Sequence, residues 1–154
     1  MAIDARASRV YVDMVGDLFH GGHVELLRAA REHGDTVVVG VLGDETAEAY
    51  KRRPIMTLEE RVTVIAACRF VDEVVVDAPL RVTAEFLAAH DIDLVVHGDD
   101  LAPDVAADVY GEAVAADLLR LVPRTSTLST TAVIRRVLDR GQPPHSTPGD
   151  IADN

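Results

Sequence analysis

The chain has 154 residues, 48% of them apolar and 27% charged, with a formal net charge of −11. That length suits one domain with a sizeable core. The charge argues against nucleic acid and anionic membranes as partners, because no excess of Lys or Arg is available to displace counterions. Any phosphate must be met by a few placed cations and backbone N–H groups. Cys68 is the only cysteine, so no internal disulfide is expected and a reducing cytoplasm is the natural compartment. The start, Met1 to Arg6, has no long apolar run and does not read as a signal peptide. No stretch approaches a membrane span.

Arg9 to Met14 predicts a first strand, followed by a Gly-rich turn and a helix from about His23 to His33, stopped by Gly34-Asp35. Thr36 to Leu42 is a continuous apolar run, as in a parallel strand buried on both faces. A short helix over 44–50 and a polar loop, Lys51-Arg-Arg-Pro54, come next. Thr57-Leu-Glu-Glu60 is a capping box opening a helix to about Arg69. Glu73–Asp77 predicts a third strand, Thr83–His90 a helix and Asp93–His97 a fourth strand. A weaker helix over 104–116, a fifth strand at Leu119–Pro123 and a final helix from Ser129 to Arg140 complete the pattern. Residues 8–140 thus form one domain, and 141–154 read as a disordered tail. Strand–helix alternation calls for an α/β fold: three layers, with a five-stranded parallel sheet between helices. Ligands of such folds bind beyond the carboxyl ends of the strands.

Four patterns fall just after predicted elements and carry chemistry. His20-Gly-Gly-His23 places two imidazoles at a helix start, where free N–H groups favour anions and ring donors can meet developing charge. Lys51-Arg52-Arg53 gathers three cations in an acidic chain, a candidate phosphate clamp. Arg124-Thr-Ser-Thr-Leu-Ser-Thr-Thr131 leads an Arg and hydroxyls into a helix, which suits phosphates. His97-Gly-Asp-Asp100 offers carboxylates for a base amino group or a metal. Each also has an ordinary explanation: a polar turn, a solvated loop, a Ser/Thr cap or a Gly-Asp turn. Their convergence on one edge outweighs those alternatives.

These residues resemble the cytidylyltransferase family of HxGH nucleotidyltransferases. Asp17, His20, Gly22 and His23 match the early motif Gly-x-Phe-Asp-x-x-His-x-Gly-His. Arg124, Thr125, Ser129, Thr130 and Thr131 match the late motif Arg-Thr-x-Gly-Ile-Ser-Thr-Thr. Pro54–Arg61, Ala67–Val74 and Val96–Asp100 are also similar, in the manner of the ethanolamine-phosphate branch. The resemblance, over residues 9–138, implies a Rossmann-like fold and transfer of CMP from CTP to a small phosphorylated alcohol or phosphonate, with pyrophosphate released. Ethanolamine phosphate is the first choice of acceptor. His20, His23, Lys51 and Arg124 would be catalytic. Asp17, Gly22, Arg61, Asp99, Thr125, Ser129 and Thr130 would bind nucleotide, with Arg61 and Asp99 near the cytosine. Asp13, Met14, Lys51 and Arg124 would meet the acceptor. Mg²⁺ would ride on the nucleotide phosphates, with no metal site on the protein. A homodimer is implied, with Arg69-Phe-Val-Asp72 near its interface.

The chain departs from the family at the turn. Met14 stands where the family has Gly, and Gly16 where it has Phe; Thr127 and Leu128 replace the late Gly and Ile. Thr127 would have to avoid a positive φ. The absence of Trp disfavours a choline cage. Glycerol-3-phosphate cytidylyl transfer, adenylyl transfer and a non-catalytic nucleotide-binding module stand as alternatives.

Overall fold

The computed structural model describes residues 6–141. The tail expected at 141–154 lies outside the described residues, apart from Gly141, which ends the last helix. The described order is β1 (Ala7–Met14), α1 (Gly21–His33), β2 (Gly34–Leu42), α2 (Asp44–Tyr50), α3 (Leu58–Ala66), β3 (Glu73–Ala78), α4 (Ala84–Ala89), β4 (Leu94–Gly98), α5 (Pro103–Val109), α6 (Gly111–Ala115), β5 (Leu119–Val122) and α7 (Thr130–Gly141).

All five strands pair in parallel, in the order β3-β2-β1-β4-β5. This is the Rossmann-like sheet that the alternation predicts. The chain winds outward from β1 to β3, crosses back to β4 beside β1, and winds the other way. The carboxyl ends of β1 and β4 therefore flank a switch point, where open α/β sheets leave a crevice.

Side chains alternate across the sheet because strands have a period of two. Val10, Val12, Val37 and Val39 pack with Leu27 of α1 and Ile65 of α3 on one face. Tyr11, Val38 and Val95 pack with Leu87, Val109 and Ala113 on the other. Each fully buried Val or Leu contributes roughly 1.5–3 kcal/mol relative to exposure. The alternation also decides the site, because it sends Met14 to the first face and Asp13 to the second.

Element boundaries shift for physical reasons. Helix α1 begins at Gly21 rather than His23, since His20 caps it. Gly34-Asp35 stops α1 as expected, and strand β2 follows directly, opening at Gly34 rather than Thr36. Helix α3 ends at Ala66, short of Arg69, where Cys68 and Val71 turn the chain toward β3. The single helix expected over 104–116 is two, broken at Tyr110, whose backbone leaves the helical region (φ −116°, ψ 14°).

Candidate active site

A cavity of about 440 Å³ lies at the switch point. One half is lined by the β1–α1 turn, the loop after α2 and the start of α7. The other half is lined by the ends of β1 and β4 and by α5.

The first half holds the two histidines. The Nδ1 of His20 accepts the Gly22 N–H (3.0 Å), and the Nδ1 of His23 accepts the His20 N–H (3.1 Å). Backbone amides are obligate donors, so each Nδ1 is an acceptor. In the neutral ring the proton then sits on Nε2, the edge turned away from the backbone. The rings lie 4.0 Å apart by centroid. Burial, then the neighbouring His20, push His23 down to about 4, with Lys51 and Arg124 adding to the depression and Asp17 opposing it. Burial and Arg124 lower His20 as well. At neutral pH the cavity wall therefore contains two uncharged rings, each with its N–H on Nε2. Gly22 permits this packing, since a Cβ there would meet the His20 ring at 2.8 Å and the Leu128 carbonyl at 2.9 Å.

Cations and hydroxyls complete this half. Lys51 caps α2 and lines the cavity with Arg52. Arg124 lines it too, with its guanidinium paired to Asp100 (2.5 Å) and its N–H donated to Asp99 (3.0 Å). Ser129 caps α7 by accepting the Ala132 N–H (3.1 Å). The Thr130 hydroxyl donates to the Asp17 carbonyl (3.0 Å) and stands 3.4 Å from His20 Nε2. The start of α7 thus stands beside His20, where a helix N-terminus favours an anion. Thr125 lines the same wall. Thr127 is not among the residues with positive φ, so replacing Gly there brings no left-handed strain.

The second half centres on Asp13. The residue is 8% exposed, and its carboxylate accepts the Tyr110 hydroxyl at 2.6 Å. Burial lifts Asp13 above its ordinary value, against the pull of that hydroxyl and of His97. The same burial, followed by the Asp13 charge, raises Tyr110. His97 packs edge-on against Tyr110, with centroids 5.4 Å apart. Apolar Leu80, Leu101, Val105 and Val109 surround the group. Tyr110 is the residue that sequence reasoning missed. The available signal was an aromatic, in a chain with few, interrupting a weak helical pattern before Gly111.

Three predicted nucleotide ligands are placed differently. Arg61 is 0% exposed and does not line the cavity. Its guanidinium donates to the carbonyls of Met56, Val15 and Leu42 and pairs with Asp44, so it is committed to internal partners. That pairing holds Asp44 below its ordinary value. Asp99 turns its carboxylate to the Arg124 backbone and lies outside the cavity lining. Asp17 lines the cavity, but both its oxygens are taken by the Ile55 and Met56 N–H groups. His20, His23, Lys51, Gly22, Arg124, Thr125, Ser129, Thr130, Asp13 and Met14 all line one cavity, as expected.

Fold and cavity together define a doubly wound α/β domain with a cleft at its switch point, lined on one side by histidines, cations and hydroxyls. Residues 16–136 match the family described as cytidylyltransferase-like, and the chain belongs to that family. It is 39% identical over 142 residues to the ethanolamine-phosphate cytidylyltransferase of Arabidopsis thaliana, a match covering 88% of this chain and 33% of that one. It is equally 39% identical over 137 residues to choline-phosphate cytidylyltransferase A of Rattus norvegicus, covering 86% and 37%. The chain thus spans about a third of the length of these curated relatives. A solved lipopolysaccharide core biosynthesis protein from Thermoplasma volcanium GSS1 shares the fold, with a TM-score of 0.63 and 24% identity, covering 80% of this chain and 99% of that one.

Proposed function

We propose that the domain transfers CMP from CTP to a small phosphomonoester, with ethanolamine phosphate as its acceptor. The observation that carries this reading is the division of one cavity into a histidine- and cation-lined half and a half built on a buried carboxylate. Similarity to both ethanolamine- and choline-phosphate cytidylyltransferases supports the nucleotide and the reaction class. Equal identity to the two leaves the headgroup to the chain's own residues. Asp13 and Tyr110 offer a compact anionic seat for a primary ammonium, and a chain without Trp is poor in the aromatic walls that suit a quaternary one.

In this reading an acceptor phosphate oxygen attacks the α-phosphorus of CTP, and the bond to the pyrophosphate oxygen breaks. His20 and His23 donate from Nε2 to the charge that grows on the phosphoryl oxygens. Lys51 and Arg124 offset phosphate charge on both reactants, and the start of α7, with Ser129 and Thr130, holds the leaving phosphates. Thr125 and Gly22 border the same anion path. Among the described residues, no three His, Cys, Asp or Glu side chains are gathered to hold a metal. The cavity carboxylates Asp13, Asp17, Glu25 and Asp100 are engaged by Tyr110, backbone amides, Arg28 and Arg124. That donor set suits Mg²⁺ carried by the nucleotide phosphates, where it would neutralise charge.

We further propose a homodimer. Exposed Val64 on α3 and Val76 on edge strand β3 (39% and 56% exposed) supply apolar surface, whereas Phe70 and Val71 pack inward. A cytoplasmic location is proposed from the cysteine content; among the described residues no helix is long and apolar enough to cross a membrane. With a net charge of −11, neither nucleic acid nor membrane is proposed as a partner.

The test is pyrophosphate release across nucleoside triphosphates and acceptors. Turnover is expected with CTP and ethanolamine phosphate. Turnover with ATP but not CTP would make the domain an adenylyltransferase, preference for glycerol 3-phosphate would displace the acceptor, and nucleotide binding without any turnover would leave a non-catalytic module.

A further inference from the structure

Asp17 belongs to the cavity wall, yet its carboxylate is turned to backbone amides of the loop after Lys51. It is 3% exposed. Its two carboxylate oxygens accept the N–H groups of Ile55 and Met56, each at 2.9 Å. Its carbonyl accepts the Thr130 hydroxyl at 3.0 Å. The His20 turn, the loop that carries Lys51 and the start of α7 therefore meet on one residue.

The loop is gripped from its other side as well. The buried Arg61 guanidinium donates to the Met56 carbonyl (3.2 Å) and to the carbonyl of Val15, two residues before Asp17 (2.6 Å). The backbone of Met56 thus lies between a buried anion, at its N–H, and a buried cation, at its carbonyl. Apolar burial does little to hold this segment, since Ile55 is 60% exposed and the Arg53 side chain 77%. Arg52 adds one exposed bond, to the Thr131 hydroxyl (3.1 Å). On the turn side, Gly16 (φ 69°) and Leu18 (φ 49°) flank Asp17 in the left-handed region. A non-glycine residue stays there only when its surroundings hold it, and the two amide bonds to Asp17 supply that hold.

We propose that Asp17 is a positioning residue: by clasping the Ile55 and Met56 amides it sets Lys51 against the His20–His23 turn. The proposal rests on the reading that Lys51 and the histidines serve one reaction. Charge-assisted bonds of this kind are short and directional. An Asn at 17 keeps one acceptor oxygen but turns an NH₂ toward the second amide, so one donor loses its partner.

The experiment compares wild type and Asp17→Asn by limited trypsin digestion, read by mass spectrometry. Local opening of the loop exposes the bonds after Lys51 and Arg52, whereas cleavage after Arg28 in α1 reports opening of the fold. The expected result is a rise of about tenfold or more at Lys51 and Arg52, with less than about twofold change at Arg28. Unchanged loop cleavage overturns the proposal. So does an equal rise at all sites, which would make Asp17 a prop of the whole fold. This arm needs no turnover, so it stands even if cytidylyl transfer is not the reaction. A kinetic arm tests the route. Asp17→Asn should lower kcat more than it raises the CTP KM, and in a Lys51→Ala background should add less than about threefold, as coupled residues do. Full additivity of the two losses would contradict action through Lys51.

Discussion

The two halves of the cavity are built on different plans. In the histidine half the two rings are held by their own local backbone, His20 and His23 being tied within a single helical turn, and Asp17 beside them gathers the loop after Lys51 and the start of α7. In the Asp13 half the key bond joins residues 97 positions apart, Tyr110 and Asp13. A locally held site keeps its geometry as long as its turn is intact. A site held across the sheet depends on two elements packing correctly, and its contents can change without disturbing the phosphate end. Conserving chemistry in one half while varying the acceptor in the other is then physically straightforward.

The largest expected effect breaks the first half. His20→Ala or His23→Ala should lower kcat by about 10²–10³-fold, the usual cost of one preorganised donor to developing charge. CTP affinity should move only a few fold. Wild-type turnover in either variant would remove the histidines from the chemistry. Breaking the second half has a different signature. Tyr110→Phe leaves a buried carboxylate short of a partner, which costs about 1–3 kcal/mol of stability. It should raise the KM for ethanolamine phosphate while leaving that for CTP near wild type. A parallel loss for both substrates would mean the halves are not separate.

A third change tests the turn that joins them. Gly16→Ala places a Cβ 2.5 Å from Ile65 Cδ1 at a φ of 69°. It should destabilise the fold by about 1–3 kcal/mol, measured by denaturant unfolding; a loss within 0.5 kcal/mol or so would show that the turn relaxes freely. The last effect is a pH dependence. His23 is depressed to about 4 in the fold, against about 6.5 for an unperturbed imidazole. Between these values the unfolded chain binds a proton that the folded chain refuses. The contribution is therefore complete above about pH 6.5 and is lost as pH falls toward 4. His23→Gln should flatten this part of the acid decline in Tm. Identical pH profiles would place His23 in a more open setting.

Sequence legibility follows the same division. His20, His23 and Ser129 could be found because their spacing is short and their partners are local, and Arg124 because it leads the hydroxyl run into α7. The parallel sheet could be read from uninterrupted Val runs in β2 and alternation with helices. Arg61, Asp17 and Asp99 could be found but not assigned, because a sequence shows charge and not what surrounds it. Arg61 is enclosed by carbonyls from three segments, and no spacing rule predicts that. Tyr110 was hidden because its importance comes from a partner on a distant strand. Its role also breaks the helix expected over 104–116, which patterning alone reads as continuous.

The claim that the halves divide the labour is tested most directly by the acceptor profile of Asp13→Asn at saturating CTP. The ratio of kcat/KM for ethanolamine phosphate to that for glycerol 3-phosphate should fall by about tenfold or more, the scale on which a lost charged partner changes selectivity, with the CTP KM unchanged. An unchanged ratio, or a matching loss of CTP affinity, would contradict the account.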